Sequence, residues 1–130
     1  MKLAIVGSRT FDDYGMLIKF IRENYDIDSI THIISGGARG ADTLGERFAD
    51  EFNKEKTIFP AEWKKYGKKA GFLRNVDIIK NCDECVCFWD GESHGTKHDI
   101  DLCVEMRKPY KICYFKVYNE LKKEIDGKEG

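Results

Sequence analysis

Short apolar runs alternate along this chain with longer segments in which apolar residues recur at helical spacing. The apolar runs predict five strands: "KLAIVG" (2–7), "THIIS" (31–35), "KTIF" (56–59), "ECVCFWDG" (84–91) and "YKICYF" (110–115). Helices are predicted from Asp13, which caps the first, then across Ala41–Phe52, about Ala70–Asn81 and about Thr96–Arg107. The stretch "AEWKKYGKK" is predicted to be an irregular connection.

This alternation predicts a single Rossmann-like α/β domain of three layers. Strands that alternate with helices and are apolar on both faces form a parallel sheet covered on both sides. Right-handed crossovers favour the strand order 3-2-1-4-5, which reverses between strands one and four. Ligands bind beyond the carboxyl ends of the strands near such a reversal, so we expect the functional site there.

Length and charge indicate one soluble domain and argue against several function classes. The chain has 130 residues, of which 42% are hydrophobic and 35% charged, so it is too apolar to be disordered. We assign the domain to residues 1–118 and a charged C-terminal tail to residues 119–130. A net charge of −1 gives no global attraction to nucleic acid or anionic membranes. No apolar run approaches a membrane span, and the N-terminus does not resemble a signal peptide.

The cysteines indicate a reducing compartment. Five cysteines, an odd number that falls mostly in predicted strands and helices, predict reduced thiols and a cytoplasmic location. Cys82, Cys85 and Cys87 are close in sequence, but Cys85 and Cys87 are alternate residues of one strand and no matching ligand pair accompanies them. We interpret them as small buried apolar residues and predict neither a metal nor a cofactor.

Three glycine-containing loops follow strands one, two and four, and each leads into a helix. They are "GSRTFDD", "SGGARGAD" and "DGESHGTKHD". Helix N-termini carry free N–H groups and a partial positive charge, and glycine allows a phosphate to approach the backbone. Because the three loops meet at one edge of the predicted sheet, we predict a pocket for a phosphate-bearing ligand. The Walker A and GxGxxG patterns are absent, so an NAD-dehydrogenase function has no support.

The charged residues of these loops have two interpretations each. Arg39 and Arg9 suit bidentate binding of an anion, and either could instead pair with a surface carboxylate. Asp42 is interpreted as a residue that caps the helix or braces the loop rather than as a catalyst. His94 and His98 lie in or beside the third loop, where they are candidate ligand contacts.

A basic and aromatic stretch leads toward the same sheet edge. "EWKKYGKKAGFLRN" combines five basic residues with Trp63, Tyr66 and Phe72. Base stacking with phosphate contacts has this composition, and so does a solvated basic face. We consider Trp63 or Tyr66 a candidate lid or stacking residue.

Four segments together resemble a known family. "IVGSRTF", "SGGARGADTLGERFA", "WKKYGKKAGFLRN" and "FWDGESHGTKHDI" are similar, in this order, to the YspA-type, cpYpsA-related branch of the SLOG superfamily. The resemblance extends to about Phe115. It implies a Rossmann-like domain that binds nucleotides or nucleotide-derived ligands, and the superfamily suggests a homodimer or higher homo-oligomer.

One group of better-understood relatives implies an enzyme. The lonely-guy phosphoribohydrolases cleave the N-glycosidic bond of nucleoside monophosphates with an arginine and a GGxGTxxE loop. Here Arg74 in "FLRN" matches the arginine, and "GTKHD" places Asp99 at the glutamate position. A carboxylate there could stabilise an oxocarbenium-like ribose or activate water while the arginine steadies the substrate. The chain departs from the pattern because "ESHG" replaces the paired glycines and aspartate is one methylene shorter than glutamate.

A second group implies nucleic-acid binding. "VGSR" and "SGGARGAD" are similar to motifs of DNA-processing protein A, a family that binds single-stranded DNA and forms homodimers. The near-neutral net charge of this chain favours a small ligand over DNA.

We therefore predict a binding domain for a nucleotide or a nucleotide-derived small molecule, such as an ADP-ribose-like molecule, that senses, sequesters or processes its ligand. Glycosidic hydrolysis through Arg74 and Asp99 is the enzymatic alternative, and binding of single-stranded nucleic acid is the third. No membrane partner is predicted. The predicted ligand-binding residues are Gly7, Ser8, Arg9, Ser35, Gly36, Gly37, Ala38, Arg39, Gly40, Asp42, Trp63, Asn75, Asp90, Gly91, Ser93, Gly95 and Thr96.

Overall fold

The computed structural model describes residues 1–116 as a five-stranded parallel sheet with helices on both faces. The strands are β1 (Lys2–Gly7), β2 (His32–Ser35), β3 (Glu55–Ile58), β4 (Glu84–Trp89) and β5 (Tyr110–Tyr114). The helices are α1 (Tyr14–Asn24), α2 (Ala41–Glu51), α3 (Trp63–Tyr66), α4 (Ala70–Asn81) and α5 (His94–Glu105), with 3-10 turns at Ile27–Ser29 and Gly67–Lys69. The order β3-β2-β1-β4-β5 confirms the predicted topology. The end of the predicted domain at 118 and the predicted tail lie outside the described residues.

The central strand β1 divides its side chains between two apolar cores. Leu3 and Ile5 pack into the core covered by α1 and α2, whereas Ala4 and Val6 pack into the core covered by α4 and α5. All four are almost completely buried. A strand buried on both faces reads as one continuous apolar run, which is why "LAIV" carries no alternation.

β3 departs from the predicted pattern because it lies at an edge of the sheet. All four of its residues are exposed, so the expectation of strands apolar on both faces is wrong for this strand. Glu55 and Lys56 place charges along the edge, and charged residues discourage pairing of an edge strand with another chain.

The connection between β3 and α4 is more regular than predicted. It forms the short helix α3 and a 3-10 turn, in which the Glu62 carbonyl accepts hydrogen bonds from the N–H groups of Lys65 and Tyr66. The cap at Asp13 is confirmed, since its carboxylate accepts a 3.0 Å bond from the N–H of Met16. α5 begins at His94, slightly before the predicted start at Thr96.

The cysteines are apolar core residues, as interpreted from the sequence. Cys82, Cys85, Cys87 and Cys103 are buried free thiols in the core beneath α4 and α5. Burial raises the pKa of the Cys82 thiol to about 12. Among residues 1–116, no three histidine, cysteine or acidic side chains are grouped so as to hold a metal ion. Over the same residues, no helix combines the length and apolarity needed to cross a membrane.

Candidate functional site

A cavity of about 340 Å³ opens where the strand order reverses between β1 and β4. We call it the main cavity. Loops after β1, β2 and β4 surround it together with α4 and α5, so it lies where ligands bind in doubly wound sheets. Its lining residues are Val6, Gly7, Ser8, Arg9, Thr10, Ala38, Asp42, Arg74, Asn75, Ile78, Asp90, Ser93, Gly95, Thr96 and Asp99.

A second cavity of about 290 Å³ adjoins the main cavity on the side of β2 and β3. We call it the arginine cavity because three arginines line it. The two cavities share Arg9, Ala38 and Arg74 as lining residues. The full lining of the arginine cavity is Arg9, Gly36, Gly37, Ala38, Arg39, Pro60, Ala61, Trp63 and Arg74.

Buried hydroxyl groups join the first loop to the third. Ser8 is buried, and its Oγ lies 3.1 Å from Oγ of Ser93 and accepts a 3.1 Å bond from the N–H of Asp90. Ser93 Oγ in turn donates to Oγ1 of the buried Thr96 at 2.9 Å. The Asp90 carboxylate accepts bonds from the N–H groups of Glu92 and Ser93, which fixes the turn before α5. These bonds hold the N-terminus of α5 against the end of β1.

Two glycines of the second loop are required by neighbouring protein atoms. Gly40 has φ +83°, and a Cβ atom there would overlap the backbone of Ser8 and Arg9. A Cβ at Gly36 would lie 2.6 Å from Nη1 of Arg74 and 2.8 Å from Oδ2 of Asp42. The sequence interpretation reserved this space for a phosphate, whereas the structure fills it with the first loop and with side chains of the site. The glycines thus let the loops approach one another.

Asp42 braces the second loop and does not cap α2. The N-cap residue is Gly40, which has no side-chain cap bond, so the predicted capping role is wrong. Oδ2 of Asp42 instead accepts bonds from the N–H groups of Gly36 at 3.1 Å and Ala38 at 3.3 Å. Burial raises the pKa of Asp42 to about 6, although these N–H groups and the nearby Arg74 oppose the rise.

Arg74 ties α4 to the second loop. Its Nη1 donates to the Gly36 carbonyl at 2.8 Å, and its Nε donates to Oδ1 of Asn75 at 3.0 Å. Nδ2 of Asn75 lies 3.0 Å from Nδ1 of His98, whose ring stacks on Phe72 with centroids 4.3 Å apart. The guanidinium is therefore held in one orientation, with two of its five N–H donors used within the protein.

Asp99 is a buried carboxyl group on the floor of the main cavity. Its side chain is 5% exposed, and Oδ1 has no hydrogen-bond partner within residues 1–116. Burial and the nearby Asp42 raise the pKa of Asp99 well above its usual value, against the opposing effect of Arg74. A buried oxygen without a partner is costly, so this atom is suited to a polar group of a ligand.

The two cavities differ in charge. Arg9, Arg39 and Arg74 form no salt bridge within the described residues 1–116, and no acidic residue lines the arginine cavity. The main cavity also has carboxyl groups, those of Asp42, Asp90 and Asp99. The arginine cavity is accordingly the more favourable place for an anion.

The structure brings most of the predicted site residues together. The main cavity is lined by Gly7, Ser8, Arg9, Ala38, Asp42, Arg74, Asn75, Asp90, Ser93, Gly95, Thr96 and Asp99, and the arginine cavity adds Gly36, Gly37, Arg39 and Trp63. Ser35, Gly40 and Gly91 line neither: Ser35 is buried at the end of β2, and Gly91 lies in an exposed turn. His98 contacts Asn75 and does not line either cavity.

Sequence reasoning missed five lining residues: Val6, Thr10, Ile78, Pro60 and Ala61. Pro60 and Ala61 directly follow the predicted third strand, so the rule that ligands bind beyond strand ends could have found them. Val6 and Ile78 are core residues whose sides reach the cavity, and no sequence signal distinguishes them from other apolar core residues.

Comparisons with known proteins agree with this architecture. A structure of DNA processing protein A from Helicobacter pylori, described for its single-stranded DNA binding mode, superimposes with a TM-score of 0.58 over 86% of this chain and 64% of that chain. At 20% identity this likeness concerns the fold. The Gene 61 protein of Mycobacterium phage D29 is 40% identical over 72 residues, which are 51% of this chain and 58% of that protein. The match therefore spans little more than half of the phage protein.

A family profile covers the N-terminal half, from β1 through α3. The profile of the YspA, cpYpsA-related SLOG family matches residues 1–66, which include the first and second loops of the site. Arg74 and the loop after β4 lie beyond the matched residues. With about half of its length matched, together with the parallel sheet and the clustered loops, the chain belongs to the YspA, cpYpsA-related SLOG family.

Proposed function

We propose that this domain binds a nucleotide or a nucleotide-derived molecule of the ADP-ribose type in the main and arginine cavities. The observation that supports this most is the convergence of Arg9, Arg39 and Arg74, which come from the first loop, the second loop and α4. None of the three forms an ion pair within residues 1–116. Guanidinium groups bind phosphate oxygens through paired hydrogen bonds, so this set is suited to a phosphate-bearing ligand.

The N-terminus of α5 adds to the attraction of the arginines for phosphate. Gly95 and Thr96 belong to the first turn of α5 and line the main cavity. N–H groups in a first helical turn have no partner within the helix and carry partial positive charge. A phosphate near the residues shared by the two cavities would face both the arginines and this helix end.

Removal of a single arginine tests the proposal. We expect ADP-ribose or AMP to raise the melting temperature of the wild-type protein, and calorimetric titration to show saturable binding. Arg39→Ala and Arg9→Ala should each weaken binding about tenfold or more, since a hydrogen bond to a charged group contributes about 1.5–3 kcal/mol. Arg22→Ala is the matched control, because Arg22 is an exposed arginine on α1. The absence of binding by any nucleotide, or equal losses in all three variants, would contradict the proposal.

A second candidate function is N-glycosidic hydrolysis of nucleoside monophosphates. It is favoured by the placement of Arg74 and Asp99 on the same cavity, with the Asp99 carboxyl group buried. A buried carboxyl group with a raised pKa can donate a proton to a leaving base, while a bound arginine steadies the phosphate. Incubation of the protein with AMP, with NAD as a second substrate, should then release free base, and Asp99→Ala should abolish the release. If wild-type protein releases no base from either substrate, this candidate is excluded for them.

Single-stranded nucleic acid is the third candidate. The exposed residues Trp63 and Tyr66 and the lysines around them form a basic and aromatic surface beside the arginine cavity. DNA processing protein A, which has a similar fold, binds single-stranded DNA. Steeply salt-dependent binding to oligonucleotides without binding to mononucleotides would favour this candidate over a small ligand.

We further propose that the protein forms a homo-oligomer and is located in the cytoplasm. Ile58 on the edge strand and Phe72 and Leu73 on α4 are large exposed apolar side chains, which supports self-association. The free state of all five cysteines supports a reducing compartment. Light scattering after gel filtration should give at least twice the mass of one chain.

A further inference from the structure

Trp63 presents its indole to the arginine cavity from a supported position. It is 54% exposed and begins α3, at the end of the segment that follows β3. A Cβ atom at Gly71 would lie only 3.4 Å from Cη2 of Trp63, so the edge of the indole rests on α4 where a residue has no side chain. An indole held at one edge and open elsewhere is suited to stacking on a planar group.

The two cavities offer different chemistry on either side of a common boundary. Arg39 and Trp63 line only the arginine cavity, whereas Asp99 lines only the main cavity. Arg9, Ala38 and Arg74 lie between them because they line both. The arginine cavity therefore suits an aromatic base, and the shared residues at the boundary suit phosphates. The main cavity suits uncharged hydrogen-bonding groups.

The unpartnered oxygen of Asp99 is an independent indication of a ligand. Asp99 is almost completely buried, yet its Oδ1 has no protein partner within residues 1–116. A phosphate is a poor partner for a carboxyl group, whereas a hydroxyl group can either donate to it or accept from it. At about 340 Å³ the main cavity is near the lower limit of small-molecule sites, so a larger ligand would extend into the arginine cavity.

On the basis of the proposed function, we infer that the ligand is a nucleoside diphosphate that carries a second, hydroxyl-rich group. Its base stacks on Trp63 in the arginine cavity, and its diphosphate crosses the boundary formed by Arg9, Ala38 and Arg74. Its hydroxyl-rich end reaches Asp99 in the main cavity. Trp63 is then the residue that selects for a base, and Asp99 the residue that selects for the second group.

Substitutions at Trp63 test the first half of this inference. Calorimetric titration with ADP-ribose should show binding that is weakened about tenfold or more in Trp63→Leu, as expected for the loss of a base–aromatic stack, and changed by less than about threefold in Trp63→Phe. Tyr66→Leu, the matched control on the same short helix, lines a different cavity and should bind like wild type. Ribose 5-phosphate, which has no base, should bind all four proteins equally.

Tryptophan fluorescence gives a second readout that does not depend on affinity. ADP-ribose at a saturating concentration should quench the tryptophan emission of the wild-type protein. In Trp63→Phe, where Trp89 is the remaining tryptophan, the same concentration of ADP-ribose should leave the emission nearly unchanged. The inference is overturned if ADP-ribose binds the wild type and Trp63→Leu equally well, and the proposed function would survive that result. If no nucleotide binds the wild-type protein, both are overturned.

Ligand preference tests the second half. Wild-type protein should bind ADP-ribose more tightly than ADP, and Asp99→Ala should reduce this preference by about tenfold while leaving ADP binding similar. A circular dichroism melt of Asp99→Ala establishes that the variant is folded. Equal affinity of the wild type for ADP and ADP-ribose would overturn the assignment of the hydroxyl-rich end to Asp99.

Discussion

Asp42 shows how burial changes the behaviour of a carboxyl group in this site. Its pKa is raised from 3.8 to about 6, so the native state holds a proton that the unfolded chain has released between these values. A native state that binds more protons than the unfolded state loses stability as the pH rises. The loss begins near pH 4 and is complete above the native pKa of about 6.

We predict that Asp42→Asn removes the contribution of Asp42 to this pH dependence, while the buried Asp99, whose pKa is also raised, keeps its own. Asparagine keeps an acceptor oxygen for the N–H groups of Gly36 and Ala38 but has no proton to lose. Between pH 4 and pH 7 the wild-type protein should lose up to about 3 kcal/mol of unfolding free energy relative to Asp42→Asn. Urea unfolding across this range measures the difference, with Asp12→Asn, an exposed acidic residue, as the control. If the unfolding free energies of the wild type and Asp42→Asn change in parallel with pH, burial does not raise the pKa of this carboxyl group.

Gly40 carries a second prediction at the residue scale. Alanine at this position would combine a positive φ with overlap on the backbone of Ser8 and Arg9, so we expect Gly40→Ala to lower the unfolding free energy by about 2 kcal/mol or more. Gly91 has a similar φ of +85° but nothing within 4 Å of an added Cβ, so Gly91→Ala should cost only about 1 kcal/mol. Chemical denaturation of the two variants separates steric overlap from backbone strain, and equal losses would contradict the close approach of the two loops.

Single residues of the site could be selected from the sequence, but their contacts could not. Arg9, Arg39 and Thr96 were identifiable because their loops follow strands that end at one sheet edge. For Asp42 the sequence left two interpretations open, a helix cap or a loop brace, and its bonds to the N–H groups of Gly36 and Ala38 decide for the brace. The position of Arg74 against the Gly36 carbonyl depends on side-chain directions between elements far apart in sequence. No local pattern contains that information.

At the scale of elements, helix capping is predictable and testable. The Asp13 carboxylate accepts the N–H of Met16 and satisfies one of the unpaired donors at the start of α1. We expect Asp13→Ala to lower the unfolding free energy by about 1 kcal/mol, as measured by urea unfolding. Asp12→Ala, a neighbouring exposed aspartate outside the helix, should change it by less than about 0.5 kcal/mol. An equal effect of the two substitutions would indicate that only the loss of charge matters.

Element boundaries were less predictable than element types. All five strands and the four longer helices were identified from the sequence pattern, because all of them except β3 bury one face or both. The short α3 was missed, since a helix of four residues buries no repeated stripe and basic residues fill most of it. The exposure of β3 was also missed, because an edge position is a property of the sheet and not of the strand's own residues.

At the scale of the whole molecule, the strand order determines the site. Pairing of β1 with β4 reverses the direction in which the sheet grows, and this separates the loops enough to leave the main cavity. The order was predictable from the handedness of crossovers, so the location of the site was predictable too. The division into two cavities of different charge was not predictable, because the arginine cavity combines the second loop with Pro60, Ala61 and residues of α3 and α4.

The most direct test of the account is the position of a bound nucleotide on the wild-type protein. Titration of ¹⁵N-labelled protein with ADP-ribose, followed by amide chemical shifts, reports contact residue by residue. We predict that saturable shifts cluster in the first, second and third loops, at Ser8–Arg9, Gly36–Arg39 and Gly95–Thr96, and at the indole N–H of Trp63. Shifts confined to other surfaces, or no saturable shift in these three loops, would contradict the assignment of the site.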